Sequence, residues 1–390
     1  MSVIPLSQPD VTDLEIEAVA DVMRSGRLSI GPRQAQFEEL VAERSACAHG
    51  VAVSSGTAGL HLVLLSLGIG PGDEVITTPF SFVASANCIL FVGATPVFVD
   101  VDPGSANLDP EKVEAAITDR TKAIIAVEVF GNTTHMDRLA AIARANEIAL
   151  VEDCCEALGG FHKEQAVGSF GRAAVYAFYP NKQITTGEGG MIVTDDDHLA
   201  TMCRSLRNQG RGDEGAAHHA SGGNLSGAWL AHQRLGFNYR LSEIAAALGV
   251  VQMERLDKIL EARRNVAGSY MRRLMDCEDL VLPTVDNPLE RSWFVFVVRL
   301  NDQYGHIERD RIIEGMHRHE VGASNYFPCI HLQPHYRGPF KYKAGDFPTA
   351  ESISQRTIAL PFFNRLDETS IDLVVQTLKV MIQREQLLKR

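Results

Sequence analysis

The alternation of apolar and polar positions along the chain predicts two helices followed by a regular series of strands and helices. The two helices cover residues 12–25 and 33–46, where apolar side chains recur at helical spacing. Short apolar runs then alternate with helical stretches, from GVAVSS and TAGLHLVLLSLG to MDRLAAIARANE and IALVED. Near-continuous apolar strands separated by helices are typical of a mostly parallel sheet that is covered on both faces. The pattern therefore predicts an α/β domain.

The pattern changes in the second half of the chain. The runs AVYAFYP and GGMIVTD are compatible with the far edge of the same sheet, whereas residues 210–227 are rich in Gly, Ser and polar side chains and predict a loop. A long helical stretch over residues 242–275 leads to the apolar run WFVFVVRL and to further helices. We therefore expect a large α/β domain over residues 1–255 and a smaller α+β domain over residues 256–390.

Composition and charge exclude several classes of protein. The 390 residues carry a formal net charge of -12, which argues against a general nucleic-acid binder because such a protein needs a basic face. The chain shows no basic start followed by an apolar run, and no apolar stretch reaches the ~20 residues of a membrane helix. The seven cysteines lack a C-x-x-C pair, as is usual for reduced thiols. We therefore expect a cytoplasmic protein that binds neither nucleic acid nor membrane.

Several common catalytic motifs are missing from the sequence. The chain has no G-x-x-x-x-G-K-[ST] phosphate loop and no G-x-S-x-G nucleophile elbow. The adjacent pair His218 and His219 has no Cys, His or Asp at ligand spacing, so we expect a solvated loop there and no metal site. Hydrolase, NTPase and simple dehydrogenase functions therefore have no support.

The first segment with candidate chemistry is VAVSSGTAGL. A predicted strand ends at Ser54 and Ser55, and a helix begins with Gly56, Thr57 and Ala58. The first turn of a helix has unpaired N–H groups and a partial positive charge, so it binds phosphate well. The same residues also form ordinary helix caps, and this segment alone leaves both interpretations open.

The second segment, IALVEDCCEALGG, places Glu152 and Asp153 at the carboxyl end of an apolar strand, where open α/β sheets bind ligands. Such an acid either caps the next helix or contacts a ligand. In an enzyme that uses pyridoxal 5′-phosphate (PLP), an acid at this place pairs with the pyridine nitrogen and keeps it protonated.

The third segment, AFYPNKQITTGEGGMIVTD, contains Lys182, the only lysine between Lys163 and Lys258. Most lysines lie on the surface, but aromatic residues before this one and a glycine-rich turn after it favour an enclosed position. Burial lowers the pKa of an amine and makes it a usable nucleophile and base. The order of phosphate turn, strand-end acid and lysine is difficult to explain by packing alone.

These segments resemble those of the nucleotide-sugar aminotransferase family (the DegT/StrS group) of fold-type-I PLP enzymes. The resemblance extends from about residue 4 to near the C-terminus and is carried by SSGTAGL, TTPFSFVASANC, VEDCCEALGG, YPNKQITTGEGGMIVT, LGFNYRLSEIAAALG and FPCIHLQPHY. It implies the fold-type-I architecture, with a large α/β domain that has a mostly parallel mixed sheet and a smaller C-terminal α+β domain. It also implies PLP as the cofactor.

The resemblance implies a role for each matching residue of this chain. Lys182 forms the Schiff base with PLP, Asp153 pairs with the pyridine nitrogen, and Phe82 stacks on the ring face. The phosphate group is held by three residues of the helix start, namely Gly56, Thr57 and Ala58.

Three further residues are implied by the same resemblance. Asn238 matches a phosphate ligand that the neighbouring subunit donates, which implies a homodimer with a shared active site. Arg240 is expected to face substrate, and His331 matches a position near the sugar-binding edge. Without the family, Asn238 would be taken for a turn residue and His331 for a structural histidine.

The chain departs from the family at two positions. The family often has Gln where this chain has Glu156, near the phenolic oxygen of PLP, and a carboxylate there is expected to have a raised pKa. The family also often has Ser at the position of Ala177, so one phosphate contact is missing or is replaced by Tyr179 or Asn238. Relatives that act as dehydratases carry His at the lysine position, and Lys182 places this chain with the aminotransferases.

The function that the resemblance implies is a ping-pong transamination in polysaccharide biosynthesis. The amino group of an amino acid, L-glutamate by family similarity, passes to PLP and then to a keto sugar carried on a nucleoside diphosphate. One alternative keeps PLP and aminates a keto-cyclitol or another carbonyl compound. A second alternative is a non-catalytic regulatory or binding relative, which the intact lysine, acid and phosphate turn disfavour.

Overall fold

A computed structural model of the chain describes residues 3–212, 231–284 and 290–389. The pair His218 and His219, and most of the predicted loop over 210–227, lie outside these residues. The described strands are β1 (His49–Val53), β2 (Glu74–Thr77), β3 (Thr95–Phe98), β4 (Thr121–Val127), β5 (Ala149–Asp153), β6 (Phe161–His162), β7 (Gln165–Ala166), β8 (Ala173–Ala177), β9 (Gly190–Thr194), β10 (Leu280–Val281), β11 (Phe296–Leu300) and β12 (Thr357–Leu360).

The described α-helices surround three sheets. They are α1 (Asp13–Ser25), α2 (Pro32–Arg44), α3 (Gly56–Ser66), α4 (Ala84–Phe91), α5 (Pro110–Ala116), α6 (Met136–Ala145), α7 (Asp197–Arg207), α8 (Glu243–Glu254), α9 (Leu256–Leu274), α10 (His306–Arg318), α11 (Pro334–Phe340), α12 (Pro348–Ser354) and α13 (Glu368–Lys389). The two helices predicted before the first strand are thus present, with ends that differ by one or two residues. None of the described helices combines the length and apolar character that a membrane span requires.

The main sheet has seven strands in the order β1-β9-β8-β5-β4-β2-β3. Strands β3, β2, β4, β5 and β8 are parallel to one another, and β9 runs antiparallel to both β8 and β1. Successive side chains of a strand point to opposite faces. In β4, Ile125 packs against the α3, α4 and α7 side, whereas Ile124 and Ala126 pack against α5 and α6. This confirms the predicted α/β fold with a mostly parallel mixed sheet.

The C-terminal part contains a three-stranded antiparallel sheet in the order β10-β11-β12. It packs with α10 and α13 in one apolar cluster, to which Ile4 from the chain start also belongs. Helix α9 joins the two parts, because Ile259 and Leu260 pack with the main sheet while Tyr270 and Leu274 pack with the small one. The domain boundary at residues 255 and 256 stays a prediction.

The long helical stretch predicted over residues 242–275 is two helices in the structure. Helix α8 ends and α9 begins at Arg255, whose guanidinium pairs with Asp10 and Glu15 near the chain start. Helical periodicity continues across this junction, so the sequence pattern alone does not reveal the break. The junction ties the N-terminal segment to the region that joins the two sheets.

A buried acid next to the end of β5 holds the connection between β7 and β8. Glu152 is fully buried, and its Oε1 accepts hydrogen bonds from the backbone N–H groups of Phe170 (2.7 Å) and Gly171 (2.8 Å). Its Oε2 accepts a hydrogen bond from the N–H group of Gly168 (2.9 Å). The Glu152 side chain is therefore structural, whereas its neighbour Asp153 faces the other side of the sheet.

We expect Glu152→Ala to destabilise the protein strongly, because three backbone N–H groups, one of them buried and two partly buried, lose their acceptor at once. The loss in free energy of unfolding should be about 3 kcal/mol or more, measured by urea denaturation. The control Glu114→Ala removes an exposed carboxylate from α5 and should change stability by less than about 0.5 kcal/mol. Equal stability of the two variants would show that other groups accept these hydrogen bonds.

Candidate active site

A cavity of about 640 Å³ opens at the carboxyl ends of the parallel strands β4, β5 and β8. Its wall also includes the start of α3, the loop that carries Phe82, and two segments that come from beyond residue 290, at Phe294 and at residues 325–328. Ligands of open α/β sheets bind at this edge, because helix starts and strand-end side chains converge there. The cavity is therefore the candidate active site.

Asp153 lies at the end of β5 and is only 4% exposed. Its Oδ2 accepts a hydrogen bond from the hydroxyl group of Ser85 (2.7 Å), in the first turn of α4. Its Oδ1 accepts a longer hydrogen bond from the N–H group of Cys155 (3.3 Å). Hydrogen bonds to the charged form of a buried acid favour that form, so Asp153 is equipped to remain a carboxylate inside the protein.

Lys182 enters the same cavity from the turn after β8, and its side chain is only 13% exposed. Its Nζ lies 3.9 Å from Oε1 of Glu156 and 3.9 Å from the centroid of the Phe294 ring. The next residue, Gln183, is buried, and its amide donates to the carbonyl oxygen of Glu156 (2.7 Å) and to the hydroxyl of Ser292 (2.8 Å). These contacts hold the lysine backbone against the cavity wall, so the enclosed position that the sequence favours is observed.

Glu156 is the second buried acid of the cavity. Its Oε2 accepts a hydrogen bond from the backbone N–H group of Phe130 (2.7 Å), and its Oε1 faces the amine of Lys182. Burial, reinforced by the charge of Asp153, raises the pKa of Glu156 to about 7, against the opposing effects of Lys182 and the Phe130 N–H group. The direction agrees with the raised pKa expected for a carboxylate at this position.

The start of α3 lines the cavity with Ser55, Gly56 and Thr57. A Cβ atom on Gly56 would lie 2.8 Å from both the Cβ of Ala177 and the Sγ of Cys155, so only glycine fits without a shift. The N–H group of Ala58 donates to the Ser55 hydroxyl (3.1 Å), and Ala58 does not line the cavity. The N–H groups at Gly56 and Thr57 are therefore the ones available to an anion.

The other predicted site residues divide into two groups. Phe82 lines the cavity, and 61% of its surface is exposed. Asn238 and Arg240 do not line the cavity of their own chain; Asn238 forms an isolated β-bridge with Asn208, and the guanidinium of Arg240 donates to the Asn208 side chain (3.0 Å). Their roles stay predictions.

His331 is fully buried outside the cavity. Its Nε2 lies 3.1 Å from Oε1 of Glu351, and the ring packs edge-on against Phe347 at a centroid distance of 4.7 Å. Burial lowers the pKa of His331, which Glu351 opposes. The structure does not bring this histidine to the site, and its contact with substrate stays a prediction.

Three residues at the site, of which Ser85 contacts Asp153 from behind the cavity wall and the other two line the cavity, were not found by sequence reasoning. Ser85 lies three residues after Phe82 in the segment TTPFSFVASANC, and its position one helical turn further along could have indicated it. Phe294 and Tyr326 come from more distant parts of the chain, and no local pattern places them beside Lys182.

The residues present fit PLP. The enclosed amine of Lys182 suits an aldehyde, the carboxyl group of Asp153 suits a protonated ring nitrogen, and the start of α3 suits a phosphate group that approaches closely because position 56 has no side chain. The combination of these three features in one cavity is characteristic of PLP enzymes built on a mostly parallel sheet.

Comparison with known proteins agrees with this class. The sequence profile of the DegT/DnrJ/EryC1/StrS aminotransferase family matches residues 9–379, so the chain belongs to that family. The family is PLP-dependent, and the protein is accordingly a PLP-dependent aminotransferase.

Three relatives illustrate the similarity. The spore coat polysaccharide biosynthesis protein SpsC of Bacillus subtilis (strain 168) is 35% identical over 382 residues, which cover 97% of this chain and 97% of that protein. Helicobacter pylori PseC, an aminotransferase involved in the biosynthesis of pseudoaminic acid, superposes with a TM-score of 0.90 at 26% identity, over 98% of this chain and 100% of that one. Spr1654 from Streptococcus pneumoniae, solved in its PLP form, also gives a TM-score of 0.90 at 26% identity, over 98% and 99% of the two chains.

We expect Gly56→Ala to weaken PLP binding at least about tenfold, because the new Cβ atom must push α3 away from Ala177 and Cys155. Titration of the apoprotein with PLP, followed by absorbance, measures this dissociation constant. The control Gly268→Ala adds the same methyl group to α9, where the nearest atom beyond the backbone of the helix itself is the flexible end of the Arg272 side chain at 3.4 Å. Unchanged affinity in Gly56→Ala would show that the start of α3 does not approach the cofactor.

Proposed function

We propose that the protein transfers the amino group of L-glutamate to a keto sugar carried on a nucleoside diphosphate. The observation that carries this proposal is the enclosed amine of Lys182, which shares one cavity with Asp153 and the start of α3. The names of SpsC and PseC support a sugar as acceptor, and the sequence resemblance supports the nucleotide link and the donor. The proposal places the reaction in the synthesis of a polysaccharide or another glycan.

The shape of the site supports an acceptor larger than an amino acid. A second groove of about 500 Å³ adjoins the cavity and shares Ser81, Phe82, Phe327 and Pro328 with it. Its further wall comes from the segment around Gln333 and Tyr336. An extended substrate with its carbonyl near Lys182 would have room for the remaining part of the molecule in this groove.

Four side chains of the cavity have defined tasks in the proposed reaction. PLP, when bound, supplies an aldehyde that joins an amine and a ring that takes up the electrons of the broken C–H bond. The carboxylate of Asp153 holds a proton at the ring nitrogen, and the amine of Lys182 takes the proton from the α-carbon of the donor. Phe82 covers one face of the ring and excludes water, and Phe294 orients the Lys182 amine through a cation–π contact.

Lys182 is expected to be the residue that PLP modifies. Reduction of the holoenzyme with borohydride fixes the bond between lysine and cofactor, and mass spectrometry of the digested protein should find the added mass on the peptide with Lys182. Lys182→Ala should lose both the label and the visible absorption of the bound cofactor. Lys163→Ala, which removes an exposed lysine paired with Asp137, should keep both. Label on a different lysine, or visible absorption that persists in Lys182→Ala, would contradict the proposal.

The acceptor can be identified by a direct assay. The enzyme is supplied with L-glutamate and a panel of nucleotide-linked keto sugars and keto-cyclitols, and the formation of amino products is followed. Amination of a nucleotide-linked sugar supports the proposal, and amination of cyclitols alone supports the first alternative. If no amino donor converts the cofactor to its pyridoxamine form, the non-catalytic alternative is favoured.

We also propose that two copies of the chain share each active site. Asn238 is exposed and lies outside the cavity of its own chain, although the resemblance assigns it to the phosphate of PLP. The ring of His61 contacts both Phe91 and Phe237, so the exposed Phe91 lies beside the segment that carries Asn238. Leu235, in the same segment, is 88% exposed. An apolar surface around a ligand residue suits contact with a second copy.

Complementation between inactive variants tests this sharing. Lys182→Ala lacks the amine, and Asn238→Asp places a negative charge against the phosphate group, so each variant alone should be nearly inactive. Mixed dimers would contain one site with both native residues, and a random mixture should regain about a quarter of the wild-type sites. Recovery after the two variants are unfolded and refolded together, but not separately, is the expected result. No recovery, with dimers present, would mean that each chain completes its own site.

A further inference from the structure

The charges in the cavity do not balance. Among the described residues that line it, Lys182 alone carries a positive charge, whereas two buried acids, Asp153 and Glu156, face the interior. Glu188 is a third acid in the lining, but it is exposed and therefore hydrated. One amine cannot neutralise two buried carboxylates, and an unpaired buried charge is costly enough that such a group usually takes up a proton.

Hydrogen bonds decide which of the two acids takes the proton. Asp153 has a donor for each oxygen, the Ser85 hydroxyl and the Cys155 N–H group, and both stabilise the carboxylate. Glu156 has a donor only at Oε2, from Phe130, while Oε1 points to the Lys182 amine, 3.9 Å away. The charge of Glu156 therefore depends on the charge of Lys182 far more than the charge of Asp153 does.

Resting on the function proposed above, we propose that Glu156 is the acid–base partner of Lys182 and stays a neutral carboxylic acid whenever the lysine nitrogen lacks a full positive charge. When the amine is released from the cofactor, a proton passes from Oε1 to Nζ, so an O–H bond breaks and an N–H bond forms. The proton returns before Lys182 acts as a base. The net charge of the pair is zero in both states, and the flexible lysine side chain can close the gap between the atoms.

The surroundings of Glu156 fix the direction of its pH dependence. With the amine nearby, the pKa of Glu156 is about 7, and the positive charge of Lys182 is one of the effects that lower it. Bonding of the lysine nitrogen to the cofactor weakens this effect, so the pKa rises further. Within the part of the chain that the structure describes, the titratable groups that face Glu156 are Lys182, Asp153, Cys155 and Tyr326. Burial raises the pKa of both the Cys155 thiol and the Tyr326 phenol, so these two remain neutral.

A proton count tests the proposal without relying on activity. Binding of PLP to the apoprotein is measured by calorimetry at about pH 8 in buffers of different ionisation heat, which gives the number of protons taken up. The wild type should take up about one proton more than Glu156→Gln, because only the wild type protonates a carboxylate on binding. Glu156→Asp should retain most of the extra uptake. The control Glu261→Gln, on an exposed face of α9, should match the wild type.

The pH dependence of the first half-reaction gives a second measurement. The wild-type rate with L-glutamate should fall by about tenfold per pH unit on the alkaline side, above the pKa of Glu156, because the neutral acid is lost. Glu156→Gln cannot ionise and should lack this alkaline decline. If Glu156→Gln does not fold, Glu156→Met removes the same ionisation and should give the same two results.

Equal proton counts and equal alkaline declines in wild type and variant would overturn the role of Glu156. The proposed function is tested separately in the same samples. If PLP labels Lys182 and the proton counts are equal, only the inference about Glu156 fails. If PLP does not bond to Lys182 in the wild type, the proposed function itself fails and the inference falls with it.

Discussion

The carboxyl group of Asp153 is almost completely excluded from water, and each of its oxygens accepts a hydrogen bond, so the rest of the cavity is arranged around a fixed acceptor of a positively charged partner. Strand β5 delivers it to the carboxyl edge of the main sheet, and the start of α4 supplies the hydroxyl of Ser85 at 2.7 Å. In such a place a carboxylate attracts a protonated ring nitrogen strongly, about 4 kcal/mol for unit charges ~4 Å apart at an effective dielectric near 20. Lys182 and the start of α3 line the same cavity as Asp153. The charge of Asp153 also contributes to the raised pKa of Glu156.

Hydrogen bonds of neighbouring side chains fix the backbone segments around Asp153. Glu152 lies one residue earlier, on the opposite face of β5. It accepts hydrogen bonds from three backbone N–H groups and so fixes the loop that leads into β8. Strand β8 then leads to the turn that carries Lys182, and Gln183 anchors that turn to Ser292. The main sheet and the segment beyond residue 290 therefore meet at the lysine. These packed elements enclose the lysine, whose side chain is only 13% exposed.

Much of the fold and part of the site follow from local sequence patterns. Apolar runs of strand length and the glycine at the start of α3 are visible in the sequence, because burial and close backbone approach restrict residue type at those positions. The position of Asp153 at the carboxyl end of an apolar strand likewise indicates a ligand-binding acid in the sequence. By contrast, the break at Arg255 depends on Asp10 and Glu15, which lie more than 200 residues away along the chain. Phe294 and Tyr326 depend in the same way on tertiary packing.

The sequence also does not reveal where a partner inside the protein competes with a ligand for a hydrogen bond. Ala58 lies in the predicted phosphate turn, yet its N–H group is already used by Ser55. His331 belongs to a segment that resembles the family, yet Glu351 holds it in the protein interior. Residue type and spacing identify candidates, whereas the presence of an internal partner decides which candidates remain available to a ligand.

A crystal structure of the protein with PLP would show directly whether Lys182 binds the cofactor. We predict continuous density between the Nζ of Lys182 and the cofactor, the ring nitrogen within hydrogen-bond distance of Asp153, and the phosphate group against the start of α3. Density for the cofactor in another place, or a Lys182 side chain that points into solvent while PLP is bound, would contradict it.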